Sequence, residues 1–184
     1  WRSLSSRGQH LHCISPPRHL SAQAVITAAN MISAGDCDFA VAGGAENMSR
    51  SPYLAPALRW GARMNDAALV DMMVGALSDP FDDVHMGVTA ENVARQYGIS
   101  REDQDALALE SHHRAQIAID RGYFRAQVVA VPVKVKRDMV PFDMDETVRA
   151  DTTLAKLAKM KPAFDKAGSV TAGNSSSLND AAAA

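Results

Sequence analysis

Small and apolar residues first recur at a regular interval after residue 21. Between Ala22 and Ala34 they share one face of a predicted helix, formed by Ala22, Val25, Ala29 and Ile32. Gly35 follows at the place where a left-handed residue ends a helix. The continuous apolar run from Phe39 to Gly43 is typical of a buried strand. A buried helix followed by a buried strand predicts α/β packing.

Two further helices are predicted near the middle of the chain. The first runs from Val88 to Tyr97 and is followed by Gly98. The second begins after Ser100, whose hydroxyl forms a predicted capping box with the carboxyl of Asp103. It ends near Gly122, and its predicted inner stripe consists of Ala108, Ser111, Ala115, Ala118 and Ile119.

The remaining periodic segments are shorter. Valines alternate with other residues in a predicted half-buried strand, whose one face carries Val129, Val131, Val133 and Val135. Pro132 favours an edge position or a bulge for this strand. A short helix is predicted from Thr153 to Met160 because Pro162 halts it. Residues 169–184 are interpreted as a strand, a loop of small residues and the start of a helix.

Two segments show no long period. Residues 1–20 are therefore predicted to be irregular, and residues 47–84 are interpreted as an excursion from the core. The chain begins without Met and stops while an alanine-rich, helix-like pattern is still running. We therefore expect a fragment of a longer protein.

Composition and charge narrow the class of protein. The 184 residues are 47% hydrophobic, which suffices for a globular core, and the formal net charge is −2. That charge supplies no general attraction to phosphate backbones, so we expect no nucleic-acid partner. The sequence contains no run of 18 apolar residues, and we expect neither a membrane span nor a signal peptide. Two cysteines make no disulfide framework, which favours a reducing, cytoplasmic location.

Histidines are the first candidates for a metal site. Four possible zinc ligands crowd into ten residues: His10, His12, Cys13 and His19. Their spacing matches no common zinc pattern, so we predict no metal there. His112 and His113 are adjacent on a predicted helix and point about 100° apart, so they cannot chelate one ion together and are expected at its surface or flank.

The two cysteines are the candidate nucleophiles. A nucleophilic cysteine works best at a helix N-terminus or beside a cation. The predicted helix starts eight residues after Cys13, with two prolines between, so its dipole does not reach the thiol and Cys13 is not expected to be catalytic. Cys37 stands between two aspartates, whose negative charge disfavours a thiolate, so it is predicted to be inert. His85 directly precedes a helix, and a lone histidine there is more often a capping or packing residue than a site residue.

Three stretches carry a family resemblance in their order and spacing: VAGGAENMSRSPY, HMGVTAENVARQYGISREDQDALALESHHRA and MKPAFDKAGSVTAGNSSSLNDAAAA. From about residue 22 onward the chain resembles the thiolases, specifically bacterial acetyl-CoA acetyltransferases and 3-ketoacyl-CoA thiolases. The resemblance implies an α/β, thiolase-like fold with αβαβα layers, of which this chain is a fragment of the N-terminal half with its CoA-binding loop domain. The implied domains are an irregular, not family-like 1–21, the end of the N-terminal core at 22–46, the loop domain at 47–168 and a return to the core at 169–184.

The same resemblance implies a reaction and a binding site. Thiolases condense two acyl-CoA molecules or cleave a 3-ketoacyl-CoA with CoA, so the substrates are CoA thioesters and no cofactor is expected. The positions where thiolases line the CoA and pantetheine pocket are Leu77, His85, Met86, Arg149, Phe164, Ala172 and Ser176. Arg149 is suited to the nucleotide end, and the small-residue loop to the pantetheine amides. Lys156 stands where many relatives carry a small polar residue, so the adenine end departs from the family pattern.

The catalytic residues do not carry over. The family's acyl-accepting cysteine opens a helix within a glycine-rich turn, and counting back from Gln23 places it at Arg18, within PPRHLS. A frame error upstream of residue 22 is a hypothesis that explains this break. The family's other catalytic groups are expected after Ala184. We therefore expect an inactive chain from a thiolase-family acyltransferase, cytoplasmic and associated with fatty acid metabolism.

Two rival functions remain open. The first is that the chain is a non-catalytic module that binds CoA or an acyl chain. The second is that it is a structural fragment that needs a partner half to fold. Residues 47–73 resemble the segment through which thiolases associate, so the complete parent is expected to form a dimer or a tetramer.

Overall fold

The computed structural model describes residues 5–6, 9–10 and 20–184 of the chain. In chain order its elements are β1 (Ser5–Ser6), β2 (Gln9–His10), α1 (Leu20–Ser33), β3 (Gly44–Asn47), β4 (Tyr53–Leu54), β5 (Val70–Asp71), α2 (Met72–Ala76), α3 (Met86–Tyr97), α4 (Arg101–Asp120), β6 (Val131–Val135), β7 (Asp138–Phe142), α5 (Leu154–Ala158) and β8 (Asp180–Ala183). Two compact units divide the chain. One holds the described residues up to Asp83 together with Leu178–Ala184, and the other is Val84–Ser177. The domain boundaries expected from the sequence stay a prediction.

In the first unit, α1 forms where predicted, and Gly35 has the left-handed φ of 78°. The prediction of a buried face on this helix is wrong, because Val25 and Ile32 are exposed, as are Ala22 and Ala29. A helix face is buried only when another element lies on it, and the half-buried positions of α1 are on a different face, at Ala24, Thr27, Ala28 and Met31.

The strand predicted at Phe39–Gly43 is also displaced. These residues are in no strand, and the Phe39 and Val41 side chains are exposed. The strand is instead β3, which pairs antiparallel with β8, so that Gly44 lies opposite Ala183 and Asn47 opposite Asp180. The alanine run predicted as a helix start is thus a strand, because pairing with β3 outweighs the high helix propensity of alanine.

Residues 47–84 contain only short elements, as their lack of periodicity indicates. Two 3₁₀ turns, Met48–Arg50 and Pro56–Trp60, flank the first strand of the antiparallel pair β4–β5. The helix α2 follows β5 directly and is capped by the side chain of Asp71, which accepts from the amide of Met73 at 2.9 Å.

The second unit begins with the predicted pair of long helices. α3 ends at Gly98 with φ 65°, and α4 begins with the predicted capping box of Ser100 and Asp103. Gly122, also at φ 65°, lies just beyond the end of α4. The predicted inner stripe of α4 is partly correct, since Ala108, Ala115 and Ala118 are half-buried but Ser111 and Ile119 are exposed. The one buried residue of α4 is the acidic Asp105.

The predicted strand around Pro132 is the first strand of a hairpin. β6 pairs antiparallel with β7, which the sequence did not predict, and Pro132 lies opposite Pro141 in this two-stranded, all-edge ribbon. Of the four valines predicted to be half-buried, only Val133 is. The others, Val129, Val131 and Val135, are exposed. α5 is confirmed and shorter than predicted, with the Thr153 hydroxyl accepting from the amide of Lys156 at its N-terminus.

The core of this second unit is small and lies where α3, α4 and α5 meet the segment 168–175. Its most buried side chains are Leu157 and Thr171, beside Ala94 and Val170. Val170 and Thr171 were predicted in a strand, and that prediction is wrong, because the amides of Ser169 and Val170 donate to a carboxylate on α3 rather than to a neighbouring strand. The core thus forms around polar anchoring of an extended segment.

Candidate functional site

His85 forms the N-terminal cap of α3. Its Nδ1 accepts a hydrogen bond from the amide of Gly87 at 3.0 Å, so the neutral ring carries its proton on Nε2. The sequence favoured a capping or packing role for this histidine, and the structure shows both. The Nε2–H remains as a donor for another group.

The ring of Phe164 stacks on that imidazole. The two ring centroids are 4.7 Å apart and the planes are inclined by 26°. The Phe164 ring also lies against the backbone of Gly87, which it approaches so closely that a Cβ at this position would overlap the ring. Met86, the first residue of α3, is exposed beside this pair. The structure thus brings His85, Met86 and Phe164 together, and their role in binding CoA stays a prediction.

Glu91 attaches the segment after Phe164 to α3. Its buried carboxylate accepts from the amides of Ser169 at 2.9 Å and Val170 at 2.7 Å, and from the Ser169 hydroxyl at 3.0 Å. Burial acts to raise the pKa of Glu91, but these hydrogen bonds outweigh it and hold the pKa below its ordinary value. A Cβ on Gly168 would overlap the same carboxylate, so only glycine fits there.

The loop 171–176 is closed by its own hydrogen bonds. The Thr171 amide donates to Oδ1 of Asn174 at 2.7 Å, and the Thr171 carbonyl accepts from the Ser175 hydroxyl, also at 2.7 Å. Gly173 lies against α5, where an added Cβ would come within 2.7 Å of Leu157. The side chains of Ala172 and Ser176 are exposed on this ordered loop.

Arg149 and the loop are both attached to α4. The Arg149 amide donates to Nδ1 of His112 at 3.2 Å, while the Asn174 side-chain amide donates to Asp105 at 3.0 Å. The two attachment points are seven residues apart, which places them on one face of the helix and about 10 Å apart along its axis. Arg149 and the loop are therefore spaced along a common support.

Lys156, where the sequence departs from the family pattern, is paired in this structure. Its ammonium donates to the carboxylate of Asp151 and to the Asp151 carbonyl at 2.7 Å. The hydrogen bond and charge of Lys156 lower the pKa of Asp151, with a smaller contribution from the nearby Arg149. Two cations thus lie beside one exposed carboxylate.

A cavity of about 340 Å³ lies next to Phe164 and is lined from α3 by Val88, Glu91, Asn92 and Arg95. Asp165 and Lys166 line its opposite side, and Arg95 is 3.6 Å from the carboxylate of Asp165. Its lining thus combines charged groups of both signs with the apolar side chains of Val88 and Phe164.

Leu77 belongs to the first unit, where it directly follows α2. Sequence reasoning missed Glu91, Asp105 and Asn174, and it placed His112 at the surface or flank of its helix without its hydrogen bond from Arg149. For Asp105 and His112 the available signal was helical spacing with the small inner residues of α4, since Asp105 precedes Ala108 by one turn and His112 follows it by one.

Most of the candidate metal ligands and nucleophiles lie outside the residues that the structure describes. His12, Cys13, Arg18 and His19 lie outside the described residues, and of His10 only the strand is described. Cys37 is a free, half-buried thiol. Within the described ranges, no group of three acidic, histidine or cysteine side chains is placed to hold a metal ion. A membrane-spanning helix is likewise not found among them.

Comparison with known proteins shows which family the chain matches. The family model described as the N-terminal domain of thiolase matches residues 12–184. Beta-ketothiolase BktB of Cupriavidus necator is 61% identical over 163 residues, which cover 88% of this chain and 41% of that protein. The acetyl-CoA acetyltransferase of Pseudomonas aeruginosa is 52% identical over 168 residues, again with 41% of its length covered. The chain thus spans about two-fifths of these relatives.

Solved structures agree with the sequence matches. The acetyl-CoA acetyltransferase of Bacillus anthracis superimposes with a TM-score of 0.83 at 48% identity, covering 88% of this chain and 41% of that one. Human mitochondrial 3-ketoacyl-CoA thiolase in complex with CoA gives a TM-score of 0.79 at 35% identity, covering 89% of this chain and 41% of that one. The predicted α/β, thiolase-like fold is confirmed. The chain belongs to the thiolase family, whose N-terminal domain it matches.

Proposed function

We propose that this chain carries the CoA-binding part of a thiolase-family acyltransferase. The complete protein would condense acyl-CoA molecules or cleave a 3-ketoacyl-CoA with CoA, and the CoA thioesters would be its substrates, with no further cofactor. The observation that carries the proposal is the ordered loop 171–176, which presents Ala172 and Ser176 on the same helical support that holds Arg149.

The chemistry of these groups fits the two ends of CoA. Arg149 offers a planar cation for phosphate oxygens and for stacking on adenine. The loop offers exposed backbone groups and the Ser176 hydroxyl to the amides of the pantetheine arm. The stacked rings of His85 and Phe164 provide an apolar surface for the thiol end, with His85 Nε2–H as a donor. Met86 would add to this apolar lining, while Leu77, which belongs to the first unit, stays a candidate from the family resemblance alone.

Association with copies of the same chain is part of the proposal. Large apolar side chains between β4 and β5 are exposed, including Trp60 and Met64. Such a cluster is typical of a surface that another protein covers. We assign it to a homodimer or homotetramer of the complete protein, in a cytoplasmic enzyme of fatty acid metabolism.

The alternative of a non-catalytic CoA-binding module rests on Arg18, which stands where the family motif has its acyl-accepting cysteine. Both functions require CoA binding, whereas a purely structural fragment does not. CoA binding therefore separates the first two from the third.

Isothermal calorimetry with CoA tests the proposal. The purified chain is expected to bind CoA, and Arg149→Ala is expected to weaken binding about tenfold because a charge-assisted contact with phosphate is lost. Arg114→Ala is the matched control, since Arg114 is an exposed arginine that pairs with Glu110 on the surface of α4. No binding by the unmodified chain, or equal loss in both variants, contradicts the proposal.

A further inference from the structure

Asp105 is an acid in a position where the helical pattern favours an apolar residue. It is 4% exposed and is the only buried residue of α4. Its Oδ2 accepts from Arg101 Nε at 2.8 Å, and its Oδ1 accepts from Asn174 Nδ2 at 3.0 Å. Burial of a carboxylate is costly unless it is paired and hydrogen-bonded, and here both oxygens are used.

Asn174 transmits the position of Asp105 to the loop. Its Nδ2 also donates to the Ser169 carbonyl at 3.0 Å, and its Oδ1 accepts from the Thr171 amide at 2.7 Å. A carboxylate only accepts hydrogen bonds, so Asp105 fixes which end of the Asn174 amide faces α4. The opposite end is then left to close the loop onto Thr171.

Arg101 supplies the compensating charge and a second attachment. Its Nη2 donates to the Leu157 carbonyl at 2.7 Å and to the Met160 carbonyl at 3.2 Å. The ion pair therefore connects α4 to the end of α5, against which Gly173 is packed. Both sides of the loop depend on the same pair.

Glu91 holds the start of the segment independently. It lies on α3 and accepts from the amides of Ser169 and Val170, whereas Asp105 lies on α4. Loss of Asp105 thus leaves the segment attached at residues 169–170 and releases residues 171–176. Attachment of the segment and orientation of the loop are separable.

We propose that Asp105 is a positioning residue for CoA, acting through Asn174 on the loop that presents Ala172 and Ser176. The inference rests on the proposed function and deepens it. Asp105 sets the affinity for the pantetheine arm, whereas the nucleotide end depends on Arg149, which α4 holds through His112 instead.

The test compares two ligands, CoA and 3′-phospho-ADP, which is CoA without its pantetheine arm. Asp105→Asn keeps the size of the side chain but cannot accept from both Arg101 and Asn174. It is expected to weaken CoA binding about tenfold, the loss of one charge-assisted hydrogen bond, and to leave 3′-phospho-ADP binding unchanged. Asp120→Asn, an exposed aspartate at the end of α4, is the control and is expected to change neither.

A second variant covers the case in which Asp105→Asn does not fold. Asn174→Ala leaves the pair of Arg101 and Asp105 intact and removes only the link to the loop, and the same selective loss of CoA affinity is expected. The double variant Asp105→Asn, Asn174→Asp exchanges carboxylate and amide and is expected to recover part of the affinity.

Equal weakening of both ligands, or no weakening of CoA, overturns the role of Asp105 while CoA binding stands. Failure of the unmodified chain to bind either ligand instead overturns the proposed function, and the positioning role with it. Selective loss of CoA affinity in the variants supports both.

Discussion

At the scale of single residues, the site depends on close approaches between backbone and side chains. Phe164 lies on the backbone of Gly87, and Gly173 lies on Leu157. Neither glycine has a positive φ, so sterics rather than backbone conformation require them. Because residue 87 has no side chain, the Phe164 ring has room to stack on His85.

Gly87→Ala is expected to displace Phe164 from His85, because the added methyl group overlaps the ring. Overpacking of this kind costs about 1–3 kcal/mol of unfolding free energy. Urea unfolding followed by circular dichroism measures it. Gly75→Ala is the control, since its Cβ would make only an ordinary contact with Met72, at 3.8 Å. An unchanged midpoint for Gly87→Ala contradicts the packing described for Phe164.

The carboxylate of Glu91 predicts a dependence of stability on pH. Its pKa in the folded chain is below the ordinary value of 4.5, so its contribution is fully present above about pH 4.5 and is lost as the pH falls through the folded pKa. Glu91→Gln is expected to be less stable at neutral pH and to lose less stability on acidification. Urea midpoints measured across this range test it, with the exposed Glu146→Gln as control. Parallel pH profiles for Glu91→Gln and the unmodified chain would exclude this role.

From the sequence, residues whose types belong to a family motif, such as His85 and Phe164, could be named as candidates. The roles of Asp105 and His112 were missed because their partners, Asn174 and Arg149, lie 69 and 37 residues further along the chain. A charged residue on an otherwise small-residue stripe signals a buried partner, but the stripe does not say which segment supplies it.

At the scale of elements, helices with local signals were predicted well and strands were not. α3 and α4 carry their caps within four residues of their ends, so the chain encodes their bounds locally. β3 and β8 are more than 130 residues apart, and their pairing overrides the apolar run at 39–43 and the helix propensity of the alanines. Strand positions depend on partners that a local pattern does not contain.

The capping box of α4 predicts an effect on this helix. Ser100→Ala removes the hydroxyl that accepts from the Asp103 amide at 3.0 Å, and it is expected to cost about 1 kcal/mol of unfolding free energy. Ser111→Ala, at an exposed position within the same helix, is the control and is expected to be neutral or slightly stabilising. Unfolding in urea gives both values. Equal stability of the two variants contradicts the capping role.

At the scale of the whole chain, the candidate binding residues and the expected position of the nucleophile lie in different segments of the sequence. The candidate binding residues other than Leu77 all fall within Val84–Ser177, whereas counting back from Gln23 predicts the family's acyl-accepting cysteine at the position of Arg18. An arginine side chain cannot form the acyl-enzyme on which the family's reaction depends. Ligand binding is thus expected without turnover.

Assay of the purified chain with acetoacetyl-CoA and CoA is therefore expected to show no cleavage above the buffer rate. Arg18→Cys tests whether the nucleophile alone is missing, and it too is expected to be inactive because the glycine-rich turn is replaced by PPRHLS. Clear turnover by the unmodified chain contradicts the assignment of Arg18 to the nucleophile position.

The CoA site proposed within Val84–Ser177 is tested most directly by hydrogen exchange, measured by mass spectrometry with and without CoA. We predict that CoA slows amide exchange at 85–88 and 171–176 and leaves the hairpin β6–β7 unchanged. Slowed exchange confined to other segments, or none in any segment at saturating CoA, would contradict the account.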